Sequence, residues 1–254
     1  MNTKPRATTS LRWSRAVAQL VVTALGIVAW TQPAEANHCS CDISVESGST
    51  EVISSSRTVD CIDVPGGGTL KINGNVTLTL TGPGPSCVDG TVILKAGASV
   101  LAFTTNDHTV TGSGKIEGLS DNAGIDIVSG VTLTSDVKIT GRMQITGAGN
   151  FTTEGRVTTG PGGGTLDIRV TGTIDDEVGA SWVVEGVGAV LRFRTEPASL
   201  QGDFTVTDGE LRAGIDPDPV GDDIDVCTTG NLTHTGGKIV ALVNDSFKFG
   251  GTCP

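Results

Sequence analysis

Five aspartates within ten residues, Asp216, Asp218, Asp222, Asp223 and Asp225, form the tightest cluster of oxygen ligands in this sequence. Carboxylates are hard donors suited to Ca²⁺, and Gly221 supplies a turn among them. The spacing is similar to that of calcium loops but lacks the closing glutamate of an EF-hand. Without metal the same run is a solvated acidic loop, stiffened by Pro217 and Pro219. A second grouping is Asn37-His38-Cys39-Ser40-Cys41, where an imidazole and two thiols could hold a soft transition metal. Disulfide use of those thiols is the stronger reading, because all six cysteines (Cys39, Cys41, Cys61, Cys87, Cys227 and Cys253) lie beyond an export-type leader. Sequence proximity favours Cys227–Cys253, with the other four pairing among themselves.

Catalytic constellations are not found in the sequence. There is no H-E-x-x-H, no G-x-S-x-G and no complete phosphate loop around Gly112-Ser113-Gly114-Lys115. Asp175, Asp176 and Glu177 read as a solvated turn. His108, after Asn106 and Asp107, reads as a surface residue, as does His234 in a Thr-rich strand. No cofactor is expected, and no residue is assigned a catalytic role.

The leader is residues 1–36. Four basic residues, an apolar run over 16–30 and the triplet Ala34-Glu35-Ala36 follow the order of a secretory signal. The run is short for a membrane span, so the expected location is outside the cytoplasm: extracellular, at the cell surface or in the periplasm, in a bacterial setting. Removing the leader lowers the basic count from 17 to 13 and the acidic count from 28 to 27, moving the net charge from −11 to −14. The 13 basic residues are scattered singly, which argues against a nucleic-acid partner. No second apolar run predicts a membrane span in the mature chain. The Asn-x-Ser/Thr sequons at Asn75, Asn150, Asn231 and Asn244 read as incidental to the composition.

The elements that must position these residues are strands. Short β-branched, alternating runs such as Val76-Thr77-Leu78-Thr79-Leu80 recur between Gly, Asp, Asn and Ser, and few windows hold a helical period. Pro65-Gly66-Gly67-Gly68-Thr69-Leu70-Lys71-Ile72 returns 96 residues later as Pro161-Gly162-Gly163-Gly164-Thr165-Leu166-Asp167-Ile168. A looser unit, seen at Val110-Thr111-Gly112, Ile145-Thr146-Gly147, Val170-Thr171-Gly172 and Val206-Thr207-Asp208, recurs without a strict period. Unequal loops between equivalent strands define an irregular solenoid. With about 20–25 residues per coil and strands about 4.8 Å apart, residues 37–254 give roughly 8–10 coils and a rod on the order of 40 Å. The expected class is all-β, a right-handed parallel β-helix with a narrow interior that suits few aromatics; a β-sandwich is the alternative. The expected organisation is a leader (1–36), a Cys-containing cap and first strands (37–64) and the coils (65–254), closed by a disulfide.

Thr109-Val110-Thr111-Gly112-Ser113-Gly114-Lys115-Ile116-Glu117-Gly118, followed by Asn122-Ala123-Gly124-Ile125-Asp126-Ile127, resembles the coils of pectin-lyase-like right-handed parallel β-helices. That resemblance covers the style of residues 60–175 and implies a fold more than a reaction. The superfamily includes polysaccharide lyases and hydrolases as well as adhesins and surface proteins without activity. Its polygalacturonase-type signatures are not found. The leading expectation is therefore an exported, non-catalytic surface or matrix protein binding a glycan or a protein partner. The alternative is a polysaccharide lyase or glycoside hydrolase using acids on one face, marked by a groove lined with several carboxylates or with acids plus Arg/Lys.

The acidic loop at 216–225 is expected to serve as a charged guard at the end of the rod, discouraging strand addition. Millimolar calcium should then leave the thermal midpoint unchanged. A rise abolished by the Asp222→Asn, Asp223→Asn double variant would make the loop a metal site instead.

Overall fold

The computed structural model describes residues 39–197, 200–214 and 223–253. The chain divides into two units, Met1–Glu35 and Ala36–Pro254, and every described residue belongs to the second. Asp216, Asp218 and Asp222, together with Asn37 and His38, lie outside the described residues. The described residues are all-β, with 25 strands and no helix. Every strand pairing among them is parallel, which excludes the sandwich. The strands stack as a β-solenoid of about nine turns.

Each coil is built from up to three sides. The first runs from Ile43–Ser44 in coil one to Ile174–Asp176 in coil seven. The second runs from Thr50–Ile53 in coil one to Leu232–His234 in coil nine. The third runs from Arg57–Val59 to Lys238–Ala241. In coils four and five the second and third sides are one continuous strand each, Lys115–Ile127 and Lys138–Gly147, so the two sides form a single 16-stranded sheet.

Alternation decides which residues enter the core. Leu70, Val92, Ile116, Ile139, Val157, Trp182 and Phe204 form one inward column on the second side. Leu78, Leu101, Ile125, Ile145, Ile168, Phe193 and Ala213 form another on the third. All of these are buried. The expectation that aromatics fit poorly in this interior is corrected: Phe103, Phe151, Phe193, Phe204 and Trp182 are all fully buried. Trp182 stacks on Phe204 with ring centroids 6.0 Å apart, because equivalent positions one coil apart bring flat rings face to face.

The two ends differ. In coil one the inward columns are occupied by Glu51, in register with Leu70, and Arg57, in register with Leu78. They form an ion pair at 2.8 Å across the mouth of the core. Inward-pointing charge on a terminal strand blunts pairing with another chain. Cys39–Cys87 and Cys41–Cys61 tie the first three coils together, and Cys227–Cys253 closes the other end.

The repeated octapeptide does not mark equivalent places. Its first copy turns from the first side into the second-side strand Thr69–Ile72. The second copy turns from the second side into the third-side strand Gly164–Val170. The repeat therefore encodes a corner, used at two different vertices.

The corner between the second and third sides depends on Gly141. Its φ is +94°, and a Cβ there would lie 2.2 Å from the carbonyl oxygen of Gly118 in the coil above. Strain and overlap add, so Gly141→Ala should cost about 2–3 kcal/mol. Gly66→Ala meets nothing within 4 Å and should be near neutral. Urea unfolding of the two variants checks this; equal effects would refute the close-approach account.

Candidate functional site

Stacking turns scattered basic residues into columns. Lys115 and Lys138 begin the second side in coils four and five and are in register. Arg156 follows in coil six, one residue before Val157, which pairs with Ile139. Their separations of 23 and 18 residues are each one coil. Lys115 Nζ donates to Glu117 Oε2 at 2.8 Å, and Arg156 lies 3.7 Å from Glu185. The neighbouring outward column holds Glu117, Thr140 and Thr158, whose hydroxyl donates to Glu185 Oε1 at 3.0 Å.

At the glycine corner of these coils lies a cleft of about 540 Å³. Its floor is backbone at Gly118, Gly141 and Gly160, and its walls carry Glu117, Leu119, Thr140 and Arg142. Arg142 is braced by donating from Nη2 to Leu119 O at 2.6 Å. The bulge in this strand between Leu119 and Gly124 is held down in turn: Gln144 Nε2 donates to Asp121 O at 2.6 Å, and Thr165 N donates to Asp121 Oδ1 at 3.1 Å. At the opposite edge of the same strands a second cleft of about 360 Å³ is lined by Asp89, Ser113, Lys115 and Lys138. Both the backbone N–H and the hydroxyl of Ser113 donate to Asp89 Oδ1. Clefts of this size suit a small ligand or a few units of a polymer.

The third side carries a different grouping. Asp167 in coil six is buried among three arginines. Arg192, from coil seven, binds it with two parallel bonds at 3.0 Å, Nε to Oδ1 and Nη2 to Oδ2. Arg194 Nε donates to Oδ1 at 3.0 Å, and Arg169 Nη2 lies 3.3 Å from Oδ2. This is an acid-plus-arginine surface, but its carboxylate is fully engaged and sits on a sheet face. Asp136, Glu154 and Glu177 follow the in-register Ser135, Thr153 and Asp176 and so stack at an exposed vertex. Repulsion from Asp136, then burial and Glu177, raises the Glu154 carboxyl above its ordinary range.

The residues singled out from sequence fall as follows. Asp223 and Asp225 are exposed, and Asp225 accepts a bond from Ser246 Oγ at 2.6 Å. Among the described residues no group of three or more His, Cys, Asp or Glu has metal-binding geometry. Cys39 and Cys41 are both in disulfides, which removes the thiolates a soft metal would need. Asp175 faces outward, but Asp176 corrects the solvated-turn reading: it is 1% exposed. Its Oδ2 accepts from Trp182 Nε1 at 2.5 Å, and its Oδ1 accepts from the backbone N–H groups of Gln201 and Gly202. Burial raises its carboxyl against the lowering effect of these donors.

His108 is also corrected, from surface to core, at 2% exposure. It occupies an inward column with Leu133, Phe151 and Ile174. Nδ1 lies 3.1 Å from Gly82 O and so carries the proton, leaving Nε2 to accept from Ser86 Oγ at 2.8 Å. Ser86 in turn accepts from Ile62 N. The Ser–His pair is thus sealed from substrate and serves the fold. Sequence reasoning missed it although Val110 is plainly inward and His108 is two residues away on the same strand.

No family model, curated protein or solved structure matches the chain.

Burial lowers the His108 pKa below its usual value of about 6.5. The unfolded chain then binds more protons than the native one as pH falls through that value, so this residue's contribution is present above it and lost below. Asp176 and Glu154, with raised values, act in the opposite direction. The check is the urea midpoint measured from pH 7.5 to 5 in the parent and in His108→Leu. The acid-side loss attributable to His108 should vanish in the variant; identical slopes would refute its burial as a neutral ring.

Proposed function

We propose that this is an exported, non-catalytic surface or matrix protein that binds a glycan on its second side, across coils four to six. The observation that carries this reading is the glycine-floored cleft of about 540 Å³ beside the Lys115–Lys138–Arg156 column. Backbone without side chains lets a flat sugar approach closely. Glu117, Thr140 and Arg142 offer the carboxylate, hydroxyl and guanidinium groups that bind ring hydroxyls. Hydrolysis with general acid and base or nucleophile needs two carboxylates flanking the bond, whereas the lining of this cleft includes one, Glu117, already paired with Lys115. Export and a bacterial setting rest on the leader, and three disulfides are compatible with an oxidising compartment. Kinship with pectin-lyase-like proteins rests on coil style alone.

One observation supports the enzymatic alternative. A cleft of about 330 Å³ at another vertex brings Asp208 and Glu210 together with Lys238. Glu210 is there engaged by the guanidinium of Arg212, which ties up one of the two acids.

The test is binding and turnover on one panel of neutral and acidic polysaccharides. We expect binding without new reducing or unsaturated ends, and about tenfold weaker binding in Glu117→Gln, the loss of one charge-assisted hydrogen bond. Cleavage products that disappear in Asp208→Asn would establish the enzyme instead.

A further inference from the structure

We infer that Arg169, Arg192 and Arg194 on the third side form a binding site for a divalent tetrahedral oxyanion, of the sulfate or phosphate class. Three guanidinium groups surround one carboxylate, Asp167, an excess of two positive charges among the described residues of this cluster, on a chain whose net charge is −11. Their side chains are only 37%, 19% and 23% exposed, so water screens them incompletely. Gathering like charges at this density is costly, and a single arginine would satisfy Asp167.

Among the described residues, the neighbours in register do not restore the balance. Arg212 stacks next to Arg192 and holds Glu210, so that pair cancels internally. Exposed Lys238, in register with Glu210, adds positive charge. Asp126 is two coils from Arg169, with Thr146 between, and bonds to that threonine. Glu196 is exposed, two residues beyond Arg194.

A second observation is independent of the count. The Nε–H of Arg169 is buried and, among the described residues, has no acceptor. Orphaned buried donors are rare in folded proteins because each forfeits its hydration without return. An oxyanion over the three guanidinium planes would supply acceptors to the outward nitrogens and match the residual charge of +2, and a small outward turn of Arg169, the most exposed of the three, would bring its Nε–H to the same ligand. Guanidinium forks suit this ligand through parallel N–H···O bonds. The anion could be free in solution or carried as an ester on a glycan. Only the second source rests on the proposed function, since the site lies on a different side from the cleft.

Calorimetric titration of the folded protein with sodium sulfate, at ionic strength matched with sodium chloride, tests the site. We expect saturable sulfate binding that weakens at least about tenfold in Arg169→Gln, Arg194→Gln and stays unchanged in Lys95→Gln, an exposed lysine that lines neither of these surfaces. Near-UV dichroism of Trp182 reports whether each variant is folded, and Arg169→Gln alone, at the most exposed of the three, provides a milder variant. No sulfate heat beyond chloride, or equal binding in the parent and a folded arginine variant, overturns the inference. A sulfated oligosaccharide and its desulfated counterpart then separate the sources. Preference for the sulfated form that is lost in the arginine variants assigns the ester. Sulfate binding without any oligosaccharide binding upholds the anion site and counts against the glycan reading.

Discussion

Each coil hydrogen-bonds in register to the one before it, and that ladder governs the rest of the molecule. A residue facing inward in one coil places its partner in the next coil inward as well, about 4.8 Å further along. The core is therefore a set of columns, and a polar residue entering a column must find its partners there or in the adjoining turn. Asp176 does so with two backbone N–H groups from the following coil and the indole of Trp182. His108 does so with Ser86 and the carbonyl of Gly82 from the preceding one. These are satisfied networks, and satisfaction is what makes their burial tolerable.

The same ladder explains how an acidic chain with scattered basic residues comes to own two basic surfaces. Lys115, Lys138 and Arg156 meet on one side, and Arg169, Arg192 and Arg194 on another. The second set converges on Asp167, in the variable seventh position of the repeated octapeptide. Lys71 occupies that position in the other copy and is only partly buried. One substitution in a shared corner motif thus separates an ordinary outward side chain from the anchor of a charge cluster.

The fold was largely legible in the sequence because strand chemistry is local: β-branched alternation and glycine-rich turns give the class and the number of coils. The sites were not, because coil length varies. Along the third-side column the steps from Leu78 to Leu101, Ile125, Ile145 and Ile168 are 23, 24, 20 and 23 residues, so no fixed period brings the arginines together on paper. The octapeptide repeat misleads for the same reason, since it reports corner geometry and not coil position. His108 was recoverable. The alternation His108-Thr109-Val110-Thr111 sets it on the inward face with Val110, but its flanking Asn106 and Asp107 suggest a turn. Trp182 and the buried phenylalanines were misjudged because stacking across coils lets flat rings lie on one another in a narrow interior.

The placement of the disulfides has a mechanical meaning. In a solenoid the inter-coil hydrogen bonds lie nearly along the axis, so tension on the two ends would peel terminal coils, each held by a neighbour on one side only. Cys39–Cys87 and Cys227–Cys253 reroute that tension. Force entering at Cys39 passes through the sulfur bridge to coil three, and force entering at Cys253 passes directly to coil nine. The stretches that would unravel first carry no load, and the pull is borne by the stacked coils between Cys87 and Cys227. An axial pull would therefore have to separate interior coils, each held on both sides, before it could peel the ends.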